Sequence, residues 1–374
     1  MKTCFITGAT GVVGNEIAAR LLAETDSRLL LLIRASGDAE AMARLDELAA
    51  YWNIDIAALR SRVEVLRGDV ALPHFGLPDA RYRALAESVT HIIHCAALVR
   101  MNLPLEQALD AAVRSAGNVI ELARAGRASG QLEKVEFLST VGVAGRMSGT
   151  LPERWVREPR AFHNTYEQAK AEAELLVERA CDDGLPITLF RPSMVVGDAA
   201  TGRVIRFQIF YHLVEFLSGR RTRGVYPSLG AARIDLVPVD FVSRVVTWSS
   251  GTTDTIGRII HLCSGPAEAL PLAELRDLVR AQLRARGERV PPVLTVPSSV
   301  LRAVLPIAQA VVPADAKRAL GTLPIFLDYL EGQQSFGNEQ TQRLLAHAGL
   351  QIPVPREFVG PVLRYYLAQR GQHA

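Results

Sequence analysis

Cysteine is scarce in this sequence, and no two cysteines are close enough to form a CxxC pair. The four are spread along 374 residues, at Cys4, Cys95, Cys181 and Cys263. This spacing argues against a disulfide framework and against a zinc site. Reduced thiols are therefore the expected state, and no metal is predicted.

Long apolar runs are also missing. The longest stretch, Val300 to Val312, is interrupted by Arg302 and Pro306 and is shorter than the roughly 20 residues that a membrane-spanning helix needs. Residues 1–3 lead directly into a β-rich run, which leaves no room for a secretory signal peptide. A cytoplasmic protein without a transmembrane segment is therefore expected. Two further roles for Val300 to Val312 stay open: contact with a membrane surface, or a cover over an apolar substrate.

Neither sign of charge dominates, and aromatic residues are few. Lys and Arg number 42 against 39 Asp and Glu, for a formal net charge of +3, and the two signs are interspersed. Nucleic-acid binding normally needs a basic patch, so nucleic acid is excluded as a partner. Aromatic residues make up 6% and hydrophobic residues 49%, a balance typical of an α/β protein rich in Ala, Leu and Val.

Short β-rich runs alternate with helical patterns through the first two thirds of the sequence. This rhythm is typical of βαβ units, whose right-handed crossovers build a parallel sheet. The predicted strands are Cys4 to Thr7, Leu29 to Ile33, Val63 to Leu66, His91 to Cys95, Val135 to Leu138 and Ile187 to Phe190. The helical faces expected to pack on the sheet are Val13, Ile17 and Leu21, and Leu105, Leu109 and Val113.

The length indicates two lobes, because 374 residues exceed what one hydrophobic core usually organises. The predicted fold class is α/β: a Rossmann-type doubly wound parallel sheet with a smaller, mostly helical substrate-binding lobe. Residues 1–194 are assigned to the dinucleotide-binding domain, and 236–265 are expected to return to it. Residues 195–235 and 266–374 then form the substrate-binding lobe.

A glycine-rich turn follows the first predicted strand and opens a helix. Gly8 permits the tight turn, Gly11 lets the backbone approach a pyrophosphate, and Gly14 allows close packing of helix on sheet. The N-terminus of the helix then faces the phosphates. This pattern predicts a dinucleotide site with contacts from Gly8, Thr10, Gly11, Val12, Val13 and Gly14.

The residue that ends the second strand indicates which dinucleotide is bound. NAD-binding proteins carry Asp or Glu there to hold the ribose 2′-hydroxyl, whereas this chain has Arg34. A guanidinium pairs with a 2′-phosphate through charge-assisted bidentate hydrogen bonds, so NADPH is the predicted cofactor. Arg44 is a weaker second candidate. The other predicted cofactor contacts are Asp69 and Val70 after the third strand and Ala96 and Ala97 after the fourth.

Tyr166 and Lys170 are four residues apart in a helix-forming stretch, so both project from one helix face. A phenol with a pKa near 10 is a poor acid–base group at neutral pH, but a nearby ammonium and a cationic nicotinamide stabilise its phenolate. Tyr166 is thereby predicted to exchange a proton with a carbonyl oxygen while hydride moves to the carbon.

Two further segments occur where this chemistry needs them. Ser139-Thr140 follows the fifth strand, where a hydroxyl is placed to hydrogen-bond the reacting oxygen. The sixth strand is followed by Pro192 and Ser193, where the chain is expected to turn along the nicotinamide. The predicted catalytic residues are Thr140, Tyr166 and Lys170, and the last two also count among the cofactor contacts, together with Pro192, Ser193 and Val195.

These segments together resemble the extended short-chain dehydrogenase/reductases, and within them the thioester-reductase or fatty-acyl-CoA-reductase branch with its male-sterility-type NAD(P)-binding domain. The resemblance covers roughly residues 1–245. It is carried by Leu32–Ala35, His94–Ala97, Leu138–Val143, Asn164–Lys170, Arg191–Asp198 with Thr201–Gly202, and Val237–Asp240.

The resemblance implies that NADPH reduces an acyl thioester, carried on coenzyme A or on a carrier-protein phosphopantetheine, to an aldehyde and, with a second reduction, to an alcohol. Thr140 and Tyr166 would hold the carbonyl oxygen, Tyr166 would supply the proton, and Lys170 would orient the nicotinamide ribose. Such proteins often carry an asparagine on the helix after the fourth strand. Here Ala112 occupies that place, with Asn118 further along, so a proton relay through this asparagine is in doubt.

Several alternatives stay open. A carbonyl or hydroxysteroid-type dehydrogenase, or a sugar-nucleotide epimerase or dehydratase, uses the same three catalytic residues, and a redox-silent NADP sensor or scaffold would keep only the glycine turn. The sequence contains no adenylation or carrier segment, which predicts a preformed thioester or a free carbonyl substrate. The oligomeric state is not predicted.

Two groups of residues have both a functional and a purely structural interpretation. One is an apolar run that would line an acyl tunnel or simply form helix core: Phe207, Ile209, Phe210, Leu213, Phe216 and Leu217. The other is a basic loop, Arg220, Arg221 and Arg223, which would meet a coenzyme A phosphate or an acidic carrier protein, or remain solvated.

Overall fold

A computed structural model describes residues 1–97, 103–297 and 334–370. The stretch Val300 to Val312 lies outside the described residues. The strands are β1 (Thr3–Thr7), β2 (Arg28–Ile33), β3 (Val63–Arg67), β4 (His91–His94), β5 (Lys134–Leu138), β6 (Gly149–Leu151), β7 (Ile187–Pro192), β8 (Met194–Val196), β9 (Val225–Pro227), β10 (Arg233–Ile234), β11 (Leu236–Pro238), β12 (Ile259–Leu262), β13 (Leu270–Pro271), β14 (Leu294–Val296) and β15 (Gln334–Phe336).

The helices connect these strands, and short 3₁₀ turns occur at Pro73–Gly76 and Val141–Ala144. The helices are α1 (Val12–Glu24), α2 (Asp38–Trp52), α3 (Ile56–Arg60), α4 (Asp79–Ala86), α5 (Leu105–Ala128), α6 (Thr165–Asp182), α7 (Ile209–Leu217), α8 (Val239–Ser249), α9 (Gly265–Glu268), α10 (Leu272–Ala285), α11 (Glu339–His347) and α12 (Pro355–Gln369).

Seven strands form one parallel sheet in the order β12-β7-β5-β4-β1-β2-β3. β1 pairs in parallel with β2 on one side and β4 on the other. The chain therefore reverses its direction of winding at β1, and in such sheets ligands bind at the carboxyl ends of the strands beside this switch point. The predicted α/β fold is confirmed, with each of the six predicted strands present and His91 to Cys95 one residue shorter.

The sheet is covered on both faces, which explains why most residues of its strands are apolar. Along β1, Phe5 belongs to the core under α4, α5 and α6, while Cys4 and Ile6 belong to the core under α1, α2 and α8. Successive side chains of a strand point to opposite faces, so a strand between two helical layers needs apolar residues at every position.

The predicted sheet-facing side of α5 is wrong. Leu105 and Val113 are 39% and 36% exposed, whereas Ala116, Val119 and Ala123 of the same helix are buried against the sheet. Small alanines pack there because α5 lies close to α6, with which it shares a long contact. Leu105 and Val113, which the sequence predicted to face the sheet, lie on the outer face instead.

A second core lies beyond the carboxyl ends of the strands and joins α7, α10 and α12 with short strand pairs. β10 pairs with β13, β11 with β8, and β14 with β9. The segment 236–265 supplies β12 to the main sheet, where it pairs with β7, and α8, which packs on α1. The exact boundaries of the two lobes stay a prediction.

The last described segment returns to the main domain. β15 pairs in parallel with β6, so Gln334, Ser335 and Phe336 lie beside Gly149–Leu151. Within residues 1–97, 103–297 and 334–370, no helix has both the length and the apolar character to cross a membrane.

Candidate active site

One cavity of about 760 Å³ lies at the carboxyl ends of the central strands. It is lined by every residue that the sequence predicts for catalysis or for cofactor binding. Residues as distant in sequence as Gly8 and Val195 meet there because parallel strands present their carboxyl ends at the same edge of the sheet. The individual roles of these residues stay predictions.

Two positions of the glycine turn have no room for a side chain. Gly8 has a φ of +74°, and a Cβ added to it would lie 2.6 Å from the backbone nitrogen of Ala96. A Cβ on Gly14 would lie 2.3 Å from the carbonyl oxygen of Gly8. The Gly11 N–H donates to that same oxygen at 2.9 Å, and α1 begins at Val12. The helix therefore directs its first N–H groups into the cavity, as a pyrophosphate requires.

Two arginines stand at the end of β2. The Arg34 side chain is 72% exposed, and its only ionic contact with a described residue is 3.8 Å to the carboxylate of Asp69. Arg44 pairs with Glu40 at 2.7 Å and donates a hydrogen bond to the carbonyl oxygen of Arg34. Arg34 thus keeps its guanidinium available for an anion, while Arg44 supports the backbone beneath it.

The loop that follows β3 forms the cavity wall beside these two arginines, and α5 holds this loop in place. Asn118 Nδ2 donates to the carbonyl oxygens of Val70 and Leu72, both at 2.8 Å. Ala112 lines the cavity. Asn118 therefore holds the loop that follows β3. It makes no contact with Tyr166 among the described residues, so no proton relay through this asparagine is visible there. The sequence did not predict this role.

His94, which the sequence did not single out, lies beneath the cavity at the end of β4. Its Nδ1 lies 2.8 Å from the Thr7 hydroxyl and its Nε2 3.5 Å from the Ser115 hydroxyl. Burial lowers the pKa of His94 to about 3, and the charge of Lys170 adds to this. The ring is therefore neutral and forms a packed floor between β1 and α5.

Tyr166 and Lys170 lie in the first turns of α6. Asn164 caps this helix by accepting the N–H of Glu167 at 3.0 Å, which fixes where the helix begins. Lys170 is buried, donates to the carbonyl oxygen of Leu138 at 2.8 Å, and lies 5.4 Å above the ring of Phe137. Burial lowers the pKa of Lys170 to about 8, an effect that the nearby Glu174 partly offsets.

Burial raises the pKa of Tyr166 to about 12, and the adjacent Glu167 adds to the rise. Without a cofactor the phenol is therefore fully protonated at neutral pH. It has the form that a proton donor needs, and a cation placed beside it would lower its pKa.

Thr140 lies at the end of β5, where the strand turns into a 3₁₀ helix. Its hydroxyl oxygen accepts the N–H of Gly142 at 3.1 Å, which leaves the hydroxyl proton free to donate. Glu167 is buried directly behind this turn, with its Cγ 3.1 Å from where a Cβ of Gly142 would be. The sequence did not predict Glu167, although its place beside the catalytic tyrosine was visible.

The chain after β7 also reaches the cavity. Pro192, Ser193 and Val195 line it. Arg191, directly before them, is fully buried and forms a bidentate pair with Glu174, at 3.0 and 2.6 Å. This pair links β7 to α6, and so fixes the segment after β7 relative to the helix that carries Tyr166 and Lys170.

Helix α7 divides the apolar run between the cavity and the second core, and an acyl tunnel stays a prediction. Ile209, Leu213 and Phe216 line the cavity, whereas Phe210 and Leu217 are buried in the second core. Spacings of four and three residues place the first three on one face. The basic loop after α7 does not line the cavity, and Arg220 pairs with Glu288 at 2.9 Å.

The strand β15 completes the cavity wall, which the sequence did not predict. Gln334, Ser335 and Phe336 line the cavity. Gln334 Nε2 donates to the carbonyl oxygens of Gly145 and Met147, at 3.0 and 3.3 Å. These carbonyls lie in the loop that follows Thr140, so the last part of the chain closes the cavity beside the catalytic residues.

Residues 6–246 match the model of the male sterility protein family. The chain belongs to this family. It is an NAD(P)-dependent oxidoreductase of the extended short-chain dehydrogenase/reductase type, as the sequence predicted. The match covers β1 through most of α8, and thus all of the glycine turn, Thr140, Tyr166 and Lys170.

Curated relatives of this family member are much longer proteins. It is 28% identical to a linear gramicidin synthase of Brevibacillus parabrevis over 99% of the chain and 7% of that protein. It is 30% identical to the large subunit of the L-2-aminoadipate reductase of Eremothecium gossypii over 76% of the chain and 21% of that protein. The chain therefore spans only a small part of either relative.

Among solved structures, the chain is similar to the terminal R domain from the myxalamid PKS-NRPS biosynthetic pathway. The two share 27% identity and a TM-score of 0.81, covering 99% of this chain and 91% of that one. The similarity thus extends through the second lobe to the end of the chain, beyond the part that the family match covers.

Proposed function

We propose that this protein is an NADPH-dependent reductase that converts an acyl thioester into an aldehyde and a free thiol. One observation carries the proposal: Thr140, Tyr166 and Lys170 line the same cavity as the glycine turn and Arg34. The similarity to a terminal reductase domain over 99% of the chain supports the thioester as the substrate.

The cavity fits the dinucleotide by its shape and by its charges. The clashes that a Cβ would make at Gly8 and Gly14 indicate a backbone surface closed to side chains but open to a pyrophosphate. The exposed guanidinium of Arg34 suits a 2′-phosphate, and its contact with Asp69 is long enough to be exchanged for one. When bound, NADPH supplies the hydride that reduces the carbonyl carbon.

The side chains around the carbonyl oxygen then have separate tasks. Thr140 donates a hydrogen bond to the oxygen, and Tyr166 donates its proton as the hydride reaches the carbon and the C=O π electrons move to oxygen. Lys170, fixed by the carbonyl oxygen of Leu138, holds a positive charge near the phenol and stabilises the phenolate that forms.

The product of this step is a hemithioacetal, which breaks down without a further reductant. The hydroxyl of the hemithioacetal loses its proton, the C=O bond re-forms, and the C–S bond breaks with its electron pair on sulfur. The phenolate of Tyr166 is the base that accepts the hydroxyl proton, and the thiolate takes a proton from water. The net change is one thioester, one NADPH and one proton consumed for one aldehyde, one thiol and one NADP⁺.

The acyl group is carried on a phosphopantetheine arm of a carrier protein or of coenzyme A. The relatives favour the carrier protein, because one is a subunit of a gramicidin synthase, of which this chain covers 7%, and another is the terminal R domain from a PKS-NRPS biosynthetic pathway. We also propose that the protein is cytoplasmic.

The experiment is NADPH oxidation followed by absorbance with matched acyl thioesters, free aldehydes and ketones, together with thiol titration and analysis of the carbonyl product. Thioester-dependent oxidation with one thiol released per aldehyde is expected. A second equivalent of NADPH with alcohol as product would extend the reaction to two reductions.

Oxidation with ketones or aldehydes alone would overturn the thioester assignment and leave a carbonyl reductase on the same scaffold. Absence of oxidation with every substrate, while NADPH still binds, would favour a redox-silent sensor.

A further inference from the structure

Besides Arg34 and Arg44, two arginines from other parts of the chain line the cavity. Arg206 precedes α7, and Arg233 lies in β10; both are exposed. Arg206 has neither a hydrogen bond nor an ion pair with any residue in the described ranges. Arg233 donates only to backbone carbonyl oxygens there, to Ala269 at 2.8 Å and Ala267 at 3.4 Å.

Their charges are therefore less compensated than those of the other arginines that line the cavity. Arg44 pairs with Glu40 at 2.7 Å, and Arg34 lies 3.8 Å from Asp69. Asp235, the carboxylate nearest in sequence to Arg233, also lines the cavity, but it is buried and its oxygens accept the N–H groups of Ser264 and Gly265 at 2.8 and 2.9 Å. Two guanidinium groups that face one cavity, without an acidic partner in the described part of the chain, favour an anion between or beside them.

Apolar side chains line the same cavity as these two arginines. Ile209, Leu213 and Phe216 do so from α7, and Ala232 and Ile234 flank Arg233 in sequence. The cavity thus combines polar groups at Tyr166, apolar side chains, and two guanidinium groups. A thioester on a pantetheine arm with a terminal phosphate offers a group to each of these three.

We propose that Arg206 and Arg233 bind the phosphate of the phosphopantetheine arm that delivers the acyl thioester. The inference rests on the proposed function and assigns a part of the substrate to named residues. The same phosphate occurs in coenzyme A and in a loaded carrier protein, so this site recognises what the two carriers share. Arginine suits the task because its planar group donates two hydrogen bonds to one phosphate.

The test compares one acyl group on three thiols: pantetheine, phosphopantetheine and coenzyme A. The wild type is expected to show a kcat/KM about tenfold higher for the phosphopantetheine thioester than for the pantetheine thioester, as one charge-assisted hydrogen bond predicts. Arg206→Ala and Arg233→Ala should each remove most of this difference while leaving the pantetheine thioester unchanged. Arg343→Ala, at an exposed arginine of α11 away from the cavity, is the matched control.

A carrier protein loaded with the same acyl group distinguishes the two sources of the phosphate. Equal losses in Arg206→Ala for the coenzyme A and carrier-protein thioesters are expected, because both present the shared phosphate. Losses with only one of them would overturn recognition of the shared group.

A binding experiment separates this inference from the proposed function. Phosphopantetheine, without an acyl group, is titrated by calorimetry into the NADPH-saturated protein, and binding that weakens in Arg206→Ala supports the site whether or not any thioester is reduced. Thioester reduction with no preference for the phosphorylated arm would overturn the site and leave the function intact. An equal loss of NADPH and NADH affinity in Arg206→Ala, with the phosphate preference retained, would also overturn it and assign Arg206 to the cofactor pyrophosphate.

Discussion

Lys170 is a buried amine, and its burial determines both its pKa and its position. Burial lowers its pKa to about 8, the ring of Phe137 lies beneath it, and one of its protons is committed to the carbonyl oxygen of Leu138. Its two remaining protons are directed by this anchor, which explains how a flexible side chain can hold a fixed position beside Tyr166.

The pKa of Lys170 predicts how the rate depends on pH. Because its pKa is lowered to about 8, the amine is charged below that pH and neutral above it, so the charge that stabilises the phenolate is lost on the alkaline side. We expect kcat/KM at saturating NADPH to fall about tenfold per pH unit above about pH 8. A rate that stays constant from about pH 7 to about pH 10 would remove Lys170 from this role, and NADPH affinity measured over the same range is the control.

Tyr166→Phe should retain NADPH binding and lose about 10²- to 10⁴-fold in turnover, because the proton donor is removed while the ring remains. Fluorescence titration gives the affinity and steady-state kinetics the rate. Tyr365→Phe, which removes a hydroxyl outside the cavity, is the matched control and should change neither. A near-normal rate in Tyr166→Phe would assign proton donation to another group.

Arg34→Glu should reverse the preference between the two cofactors. The wild type is expected to favour NADPH, and the variant to lose about 10- to 100-fold in kcat/KM with NADPH while its rate with NADH is maintained or rises. Arg60→Glu, on an exposed arginine outside the cavity, controls for the change of charge. An unchanged ratio would place recognition of the 2′-phosphate on other residues.

At the scale of single elements, α5 shows which features can be predicted from sequence. The helix was predicted correctly, but the face that it buries was not. Ala116 and Ala123 differ little in hydropathy from their polar neighbours. Leu105 and Val113 are more apolar, but they lie on the outer face. Hydrophobic spacing predicts a helix well, but it cannot say which face a partner helix will approach closely.

The same helix carries a second feature that the sequence did not reveal. Asn118 reaches across to Val70 and Leu72, and nothing in the spacing along α5 predicts a hydrogen bond to a loop 46 residues away. The glycine turn, by contrast, was predictable because all of its members lie within one strand–turn–helix unit and each glycine has a local steric reason.

Asn118→Ala should weaken NADPH binding about tenfold. The variant loses two hydrogen bonds to the loop that follows β3, at about 1 kcal/mol each, and part of this free energy is lost from NADPH binding because the loop is predicted to contact the cofactor. Turnover at saturating NADPH should remain close to that of the wild type. Gln107→Ala, an exposed residue on the same helix, is the control. A large fall in turnover with unchanged affinity would point to a catalytic relay instead.

At the scale of the whole molecule, specific contacts between distant parts of the chain hold residues 334–370 to the main domain. Glu153, in the loop after β6, accepts the backbone N–H groups of Gln340 and Thr341 at 2.6 and 2.9 Å and the Thr341 hydroxyl. It caps α11 from far away along the chain. Sequence patterns describe neighbours along the chain, which is why this link and the cavity wall at Gln334–Phe336 were not predicted.

Glu153→Ala should lower the free energy of unfolding by about 1 kcal/mol, the usual loss when a helix cap is removed, and the melting temperature by about 2 °C. Glu158→Ala, which breaks only an exposed pair with Arg154, should have little effect. Differential scanning calorimetry of both variants and the wild type measures the difference. Equal melting temperatures for the two variants would show that the cap contributes no more than a surface pair.

The pairing of β15 with β6 has a consequence for how the molecule is made. The glycine turn, Thr140, Tyr166 and α7 have all left the ribosome long before Gln334–Phe336, and the wall beside Thr140 is the last part of the cavity to be synthesised. At roughly 5–20 residues per second, the nascent chain spends on the order of several seconds with a complete nucleotide-binding sheet and an open substrate side. Cofactor capture during that interval would precede any encounter with substrate, so the order of synthesis matches the order in which a reductase needs its ligands.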